Sequence, residues 1–458
     1  MSLGIAFAKK QPFLHTQIPG PKSLASWEAQ NKVIGPGLQR VVQWARLSLV
    51  RGQGPFLEDA DGNVFIDFMG GSGVNSVGHS HPKYIEAMQQ QLQSLAIGSF
   101  NTPARVEMLE QFQAIFPKGL DRVQFFSGGT EAVEGALRLA KSHTGKYEFL
   151  GFWNGYHGKT MGALALTDGA RKGLGPMPPG ALTAPYAYCY RCPLKLTFPS
   201  CKFACVDHVR QVIKNESAGA LAGIIVEPIQ GRAGNITPPP GYLKELKAVA
   251  QEFGALLIVD ETMTCMGRTG KMYAFEYDDV VPDIVIVGKG LGSGYPVTAV
   301  LSTSAIMNSK PFSDPSFNSS SFAAFPMACA AVGATIAITR AEDLPARAHA
   351  LGAELLAELK AMEQEVPIMG EARGLGLMLG FELVEDKKSG RPVSSTAMEE
   401  IFMDLLRSGV LVMFGSSGSG NSMRLYPPLN IDPQIARNGI AIIKQVLLRQ
   451  SARMGATA

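Results

Sequence analysis

Six cysteines in 458 residues are too few to staple a chain of this size, which excludes a disulfide framework. No apolar run approaches the roughly 20 residues that cross a bilayer, which excludes a membrane-spanning reading. The opening stretch, MSLGIAFAKKQPFLHTQIPGPKS, has neither the long apolar core nor the small-residue cleavage site of a signal peptide. Charge of one sign is also missing. The formal net charge is +3, with no basic block or stripe, so neither nucleic acid nor a membrane surface is an expected partner. These absences together lead us to expect a cytoplasmic protein. Apolar residues, by contrast, are plentiful. They make up 46% of the chain against 18% charged, enough for a large core and more than one domain.

The pattern changes along the chain. Residues 1–50 are mixed and rich in Gly and Pro, and read as an N-terminal arm. RGQGPFLEDADGNVFIDF (51–68) reads as two strands around a turn at Asp61 and Gly62. From about 80 to 335, helix-period segments such as EAVEGALRLAK (131–141) alternate with short continuous apolar runs: AGIIVEP, ALLIVDE and DIVIVGK. Such alternation predicts a parallel sheet covered on both faces, an α/β fold. After about 335 a long helical stretch (348–365), GLGLMLGFELVED (374–386) and FMDLLRSGVLVMF (402–414) predict a smaller α+β domain. The expected division is 1–75, arm and part of the small domain; 76–335, large domain; 336–458, small domain. GSSGSGNS (415–422) reads as a flexible loop and SARMGATA as a frayed tail.

Polar residues close the apolar runs. Glu227 ends one, Asp260 the next and Lys289 the third, each one strand–helix–strand step apart. Ligand crevices in open α/β sheets lie beyond the carboxyl ends of the strands, so Asp260 and Lys289 are candidates to face one crevice. A structural ion pair is the alternative. Glycines at 288, 290, 292 and 294 leave room beside the lysine for a bulky group. Upstream, Ser127–Thr130 precede a well-patterned amphipathic helix. Backbone N–H groups and the positive dipole end there suit a phosphate, the alternative being an ordinary N-cap. HGKT at 157–160 is no P-loop, because the first glycine would have to stand at Trp153. A phosphate cradle, an acid and an amine nucleophile point to pyridoxal phosphate, whose chemistry needs a lysine and an acidic partner for the ring nitrogen.

With SGGTEAVEGALRLAK, GYHGKT, IIVEPIQG, IVDE, GRTG, PDIVIVGKGLGSGYP and RLYPPLNI, the chain resembles the class III (4-aminobutyrate/ornithine-type) aminotransferases. The resemblance runs over roughly 35–450. It implies fold type I, with a mostly parallel seven-stranded sheet in the large domain and a smaller α+β domain. It implies that Lys289 forms the Schiff base with the cofactor and shuttles the proton, and that Asp260 keeps the pyridine nitrogen protonated. Gly129 and Thr130 would bind phosphate, Tyr156 would stack on the ring and Glu227 would sit behind it. Ser321 falls where the family has a Thr reaching the partner subunit's phosphate, which implies a homodimer with shared sites, or a tetramer of such dimers.

Other positions depart from the family pattern. Met263 replaces a Gln that hydrogen-bonds the ring oxygen, and a thioether accepts only weakly. Lys159 stands where many members hold a carboxylate with Arg. Arg232 stands where a Glu pairs with the arginine matching Arg424, and Phe325 stands where Asn is usual. We expect Arg424 to bind the acceptor's carboxylate, with Lys159 and Arg232 as further substrate-facing cations. The implied activity is transfer of an amino group from a primary amine or ω-amino acid to pyruvate or 2-oxoglutarate. The alternatives are an amino-acid racemase or epimerase on the same fold and a non-catalytic binding subunit. Cys189, Cys192, Cys201 and Cys205 space as C-x2-C-x8-C-x3-C, unlike zinc ribbons. We read them as reduced thiols in an irregular loop rather than as metal ligands.

Overall fold

The computed structural model describes residues 2–417 and 420–455. It contains two compact units: Lys83–Ala346, and Met1–Pro82 together with Arg347–Ser416 and Gly420–Ala458. The division falls after residues 82 and 346, seven and eleven residues beyond the expected borders at 75 and 335. The helix Pro326–Ala341 stays in the large unit because Ala328, Cys329, Val332 and Ile336 are buried in its core.

Seven strands build the large unit: β1 (Arg122–Phe126), β2 (Glu148–Phe152), β3 (Ala181–Ala184), β4 (Leu221–Val226), β5 (Leu256–Asp260), β6 (Ile284–Val287) and β7 (Thr298–Ser302). They lie in the order β1–β7–β6–β5–β4–β2–β3. Only β7 runs against the rest, antiparallel to both β6 and β1. β6 and β7 form a hairpin, Val287 opposite Ala299, that encloses residues 288–298.

The continuous apolar runs follow from burial on both faces. Along β4, Ile224 and Val226 enter one core while Ala222 and Ile225 enter the other. β5 and β6 repeat this, with Leu257, Val259, Val285 and Val287 on the first side and Ile258, Ile284 and Ile286 on the second. Side chains alternate across a pleated strand, so a sheet with two covered faces needs apolar residues at every position. Helix α1 (Gly129–Thr144) covers the second face through Ala132, Val133, Ala136, Leu137, Leu139 and Ala140. Helices α2 (Ala204–Glu216) and α3 (Tyr242–Glu252) contribute Val206, Val209, Leu243 and Leu246 to the first.

The other unit holds two four-stranded sheets. In the first, Phe56–Asp59 and Val64–Asp67 flank the turn at Asp61 and Gly62, Leu49–Gln53 pairs with the former, and Val410–Leu411 runs parallel to the latter. In the second, Met369–Leu375, Met378–Leu383, Gly420–Leu425 and Met413–Ser417 are neighbours in that order. The N-terminal arm carries helices, Ser2–Lys9 and Pro21–Asn31. The second is capped from a distance, since Asp61 accepts the N–H groups of Lys22 at 2.8 Å and Ser23 at 2.9 Å. The stretch 415–422 is largely strand, not loop. Asn421 and Ser422 pair with Leu383 and Glu382, so pairing supplied from far along the chain overrides the local Gly/Ser content. Residues 418 and 419 of that loop, and 456–458 of the expected frayed tail, lie outside the described residues. Among the described residues no helix is long and apolar enough to cross a membrane.

Candidate active site

Asp260 is the last residue of β5 and is 5% exposed. It shares the pleat face of Ile258, the side covered by α1. Its Oδ2 lies 2.8 Å from Nδ1 of buried His157, and its Oδ1 accepts the Thr262 N–H at 3.1 Å. Burial alone would push this carboxyl up. The His157 hydrogen bond and charge and the Thr262 bonds outweigh it and hold Asp260 below its ordinary value. Burial likewise works against the His157 cation, but the Asp260 bond and charge raise that imidazole. The pair keeps a negative carboxylate inside an apolar shell. His157 was missed as a site residue in the sequence, although it is the second residue of the Tyr–His–Gly motif.

Glu227 follows β4 directly and clamps two loops. Its Oε1 accepts the Tyr156 N–H at 2.8 Å and its Oε2 the Gly231 N–H at 3.1 Å. Burial, with Asp260 adding to it, outweighs the charge of His157 and these two bonds and pushes Glu227 up to about 7. Glu261, on the opposite pleat face from Asp260, accepts from the Thr264 hydroxyl and from the Phe275 N–H, and burial pushes it also up to about 7. Both folded values exceed the ordinary glutamate value of 4.5. The folded chain therefore binds more protons than the unfolded chain between about 4.5 and 7, and stability falls as pH rises through that window. Glu261→Gln is expected to flatten the slope by up to about 1.4 kcal/mol per pH unit. Urea unfolding at pH 5 and pH 7 reads this, and an unaltered slope would show that Glu261 ionises on folding as it does in water.

The N-terminus of α1 faces open space. A Cβ built on Gly128 meets nothing within 4 Å, and one on Gly129 only Thr262 Cγ2 at 3.9 Å. Ser127 Oγ is buried with no hydrogen-bond partner among the described residues. Thr130 Oγ1 lies 2.8 Å from Thr160 Oγ1, which donates to Glu134 at 2.5 Å. Gly158, at φ 133°, passes so near that a Cβ would stand 2.3 Å from Thr130 Oγ1, which explains the glycine of the motif.

Lys289 opens a single 3₁₀ turn, Lys289–Leu291, just past β6, at φ 43°. The left-handed region is costly for a non-glycine residue and is held here by its surroundings. Gly288 is boxed in, since a Cβ there would meet Thr298 Cγ2 at 2.9 Å and Thr262 Cγ2 at 3.2 Å. The Thr298 hydroxyl in turn donates to the Gly128 carbonyl at 3.1 Å, and Cys265 Sγ lies 3.6 Å from the Gly288 carbonyl. The loops after β5 and β6 and the start of α1 thus meet at one point, with Asp260, Lys289 and the open helix end among them.

The remaining candidates are scattered. Arg232 is exposed, its Cζ 5.0 Å from the centre of the Tyr156 ring. Lys159 is exposed three residues past Tyr156, and half-buried Met263 follows Thr262. Ser321 is exposed in an irregular segment. Arg424 belongs to the other unit and is buried there. It donates through Nη2 to the Phe414 carbonyl at 2.6 Å and through Nη1 to the Tyr426 hydroxyl at 3.4 Å. The four clustered cysteines are all thiols; Cys189 is exposed and the others half-buried. Among the described residues no three His, Cys, Asp or Glu side chains gather as a metal site.

The open glycine edge, the unpartnered Ser127 hydroxyl, the amine at 289 and the ionised Asp260 fit a phosphorylated pyridine aldehyde. Ser127, Gly129 and Thr130 would take its phosphate, Asp260 its ring nitrogen and Lys289 its carbonyl carbon. When bound, such a group withdraws electrons from the carbon attached to the substrate nitrogen.

Comparison with known proteins agrees. The family model for class III aminotransferases matches residues 39–447. The acetylornithine aminotransferase of Methanopyrus kandleri is 37% identical over 75% of this chain and 82% of its own. The alanine/serine racemase of Pyrococcus horikoshii is 32% identical over 95% and 92%. An amine transaminase from an uncultivated Pseudomonas species, solved in its pyridoxal-phosphate-bound form, superposes with a TM-score of 0.84 at 31% identity, covering 91% of this chain and 98% of that one. With its fold, its cradle and this similarity all in agreement, the chain belongs to the class III aminotransferases, pyridoxal-phosphate-dependent transferases of fold type I.

Proposed function

We propose that the chain moves the amino group of a primary amine or ω-amino acid to pyruvate or 2-oxoglutarate, working as a homodimer. The observation that carries this reading is the buried, His157-held Asp260 carboxylate on the strand beside the one that delivers Lys289. In this reading Lys289 is the nucleophile and then the acid and base that moves the substrate proton. Asp260 holds the pyridine nitrogen, Tyr156 lies on the ring, and Glu227 and Met263 border it. Lys159, Arg232 and Arg424 meet substrate, Arg424 through the acceptor's carboxylate.

Exposed apolar side chains support the dimer. Leu92, Leu95, Ile97, Phe100 and Val106 lie on one stretch, and Phe317 and Phe322 flank Ser321, which in this reading reaches the partner's phosphate. The similarity to an alanine/serine racemase favours a second reading, proton removal and return at Cα without amino transfer.

One experiment separates the two. Holoenzyme is mixed with an amino donor in deuterated water without an oxo acid. Amino transfer predicts one equivalent of carbonyl product per site and loss of the yellow absorbance. Deuterium at Cα with no carbonyl product would replace it with racemisation. In the same assay with acceptor titrated in, Arg424→Ala is expected to raise the oxo-acid KM far more than that of an uncharged amine. Equal effects would remove Arg424 from that role.

A further inference from the structure

We propose that Arg232 is the residue of the large unit that reads a substrate carboxylate, and that it biases the enzyme toward carboxylate-bearing donors and acceptors over uncharged amines. The inference rests on the aminotransferase reading above and narrows its substrate class.

Three observations carry it. First, Arg232 is an exposed cation with no carboxylate at ion-pairing distance among the described residues; its contact is the Tyr156 ring. A guanidinium lying against an aromatic face keeps its N–H edge available, and that edge matches a carboxylate bidentately.

Second, the ring beneath it and the backbone behind it are fixed to each other. One Glu227 carboxylate takes the N–H of Tyr156 and the N–H of Gly231, the residue before Arg232. Gln230 adds a second tie, its side-chain amide donating to the Trp153 carbonyl at 2.9 Å. Gln230 is itself held by reciprocal backbone bonds with Ile236, at 3.0 and 3.1 Å. An exposed arginine usually loses much of its rotamer freedom on binding. This one is already braced, which lowers that cost.

Third, Arg232 stands over the residue adjacent to His157, the partner of Asp260. In the aminotransferase reading Tyr156 lies on the cofactor ring, so a carboxylate captured there stands at the edge of that ring's site. The glutamate that the class III pattern places at this position would repel the same group. Arginine reverses the sign.

The test uses holoenzyme of the wild type, Arg232→Ala and Arg232→Lys at low ionic strength, where exposed charges are least screened. Propionate, an unreactive monocarboxylate, is titrated calorimetrically. Charge-assisted hydrogen bonds of this kind predict a roughly ten- to hundredfold weaker Kd in Arg232→Ala, with partial recovery in Arg232→Lys, which keeps the charge and loses the fork. The ratio of kcat/KM for L-alanine over 1-phenylethylamine should fall by a comparable factor. Propionate affinity within twofold of wild type and an unmoved ratio would overturn the proposal. Weakened propionate binding in a protein that transfers no amino group would sustain Arg232's role and defeat the aminotransferase reading instead.

Discussion

Exchanging Lys289 for alanine is expected to lower turnover by roughly 10⁴-fold or more, since it removes both the covalent attachment and the proton carrier. The residue is positioned for both tasks. It leaves a buried strand, turns immediately in a left-handed backbone conformation, and sits on the loop whose Gly288 packs against Thr298 and Thr262. Because alanine keeps the backbone, the variant should fold. Circular dichroism and a melting temperature near wild type would show it. Borohydride treatment gives the decisive reading. Wild-type protein should carry a phosphopyridoxyl mass on the peptide containing residue 289, and the variant should carry none at any lysine. Trapping at another lysine with turnover retained would end the assignment.

The second large effect is expected at Asp260. Asp260→Asn keeps the shape and the acceptor for His157 but cannot hold a negative charge. We expect kcat to fall by roughly two to three orders of magnitude, the range seen when one preorganised electrostatic partner is removed. The borohydride adduct at residue 289 should persist, which separates lost electronics from a lost cofactor. His157 acts through Asp260, so its removal has a different signature. With His157→Gln, the carboxyl loses the bond and charge that hold it below its ordinary value and burial dominates. The acid limb of the kcat profile should then move to higher pH. A loss of rate with an unmoved limb would mean that His157 only packs.

The large unit was legible in the chain because its signals are local. Apolar runs such as IIV, LLIV and IVIV need two covered faces, and each closes on a polar residue near one crevice. What escaped notice depends on partners distant in sequence. His157 meets Asp260 from 103 positions away. Pro21–Asn31 is capped by Asp61, and the Gly/Ser stretch near 420 became strand by pairing with 379–383. Arg232 was visible as an unusual charge, but nothing in the sequence placed it on Tyr156, because the joint between their loops is the two-oxygen clamp of Glu227.

The β6–β7 hairpin has a consequence for how the enzyme comes into being. The nucleophile rides on a loop closed by its own sequence neighbours, whereas Asp260 and the phosphate cradle reach it only through crossovers. Short-range closure has a small entropic cost, so this lobe can be shaped before the remainder of the sheet is complete. A full-length chain refolding from the denatured state would then display the reactive amine on a preformed hook before the strands that give it chemistry have docked.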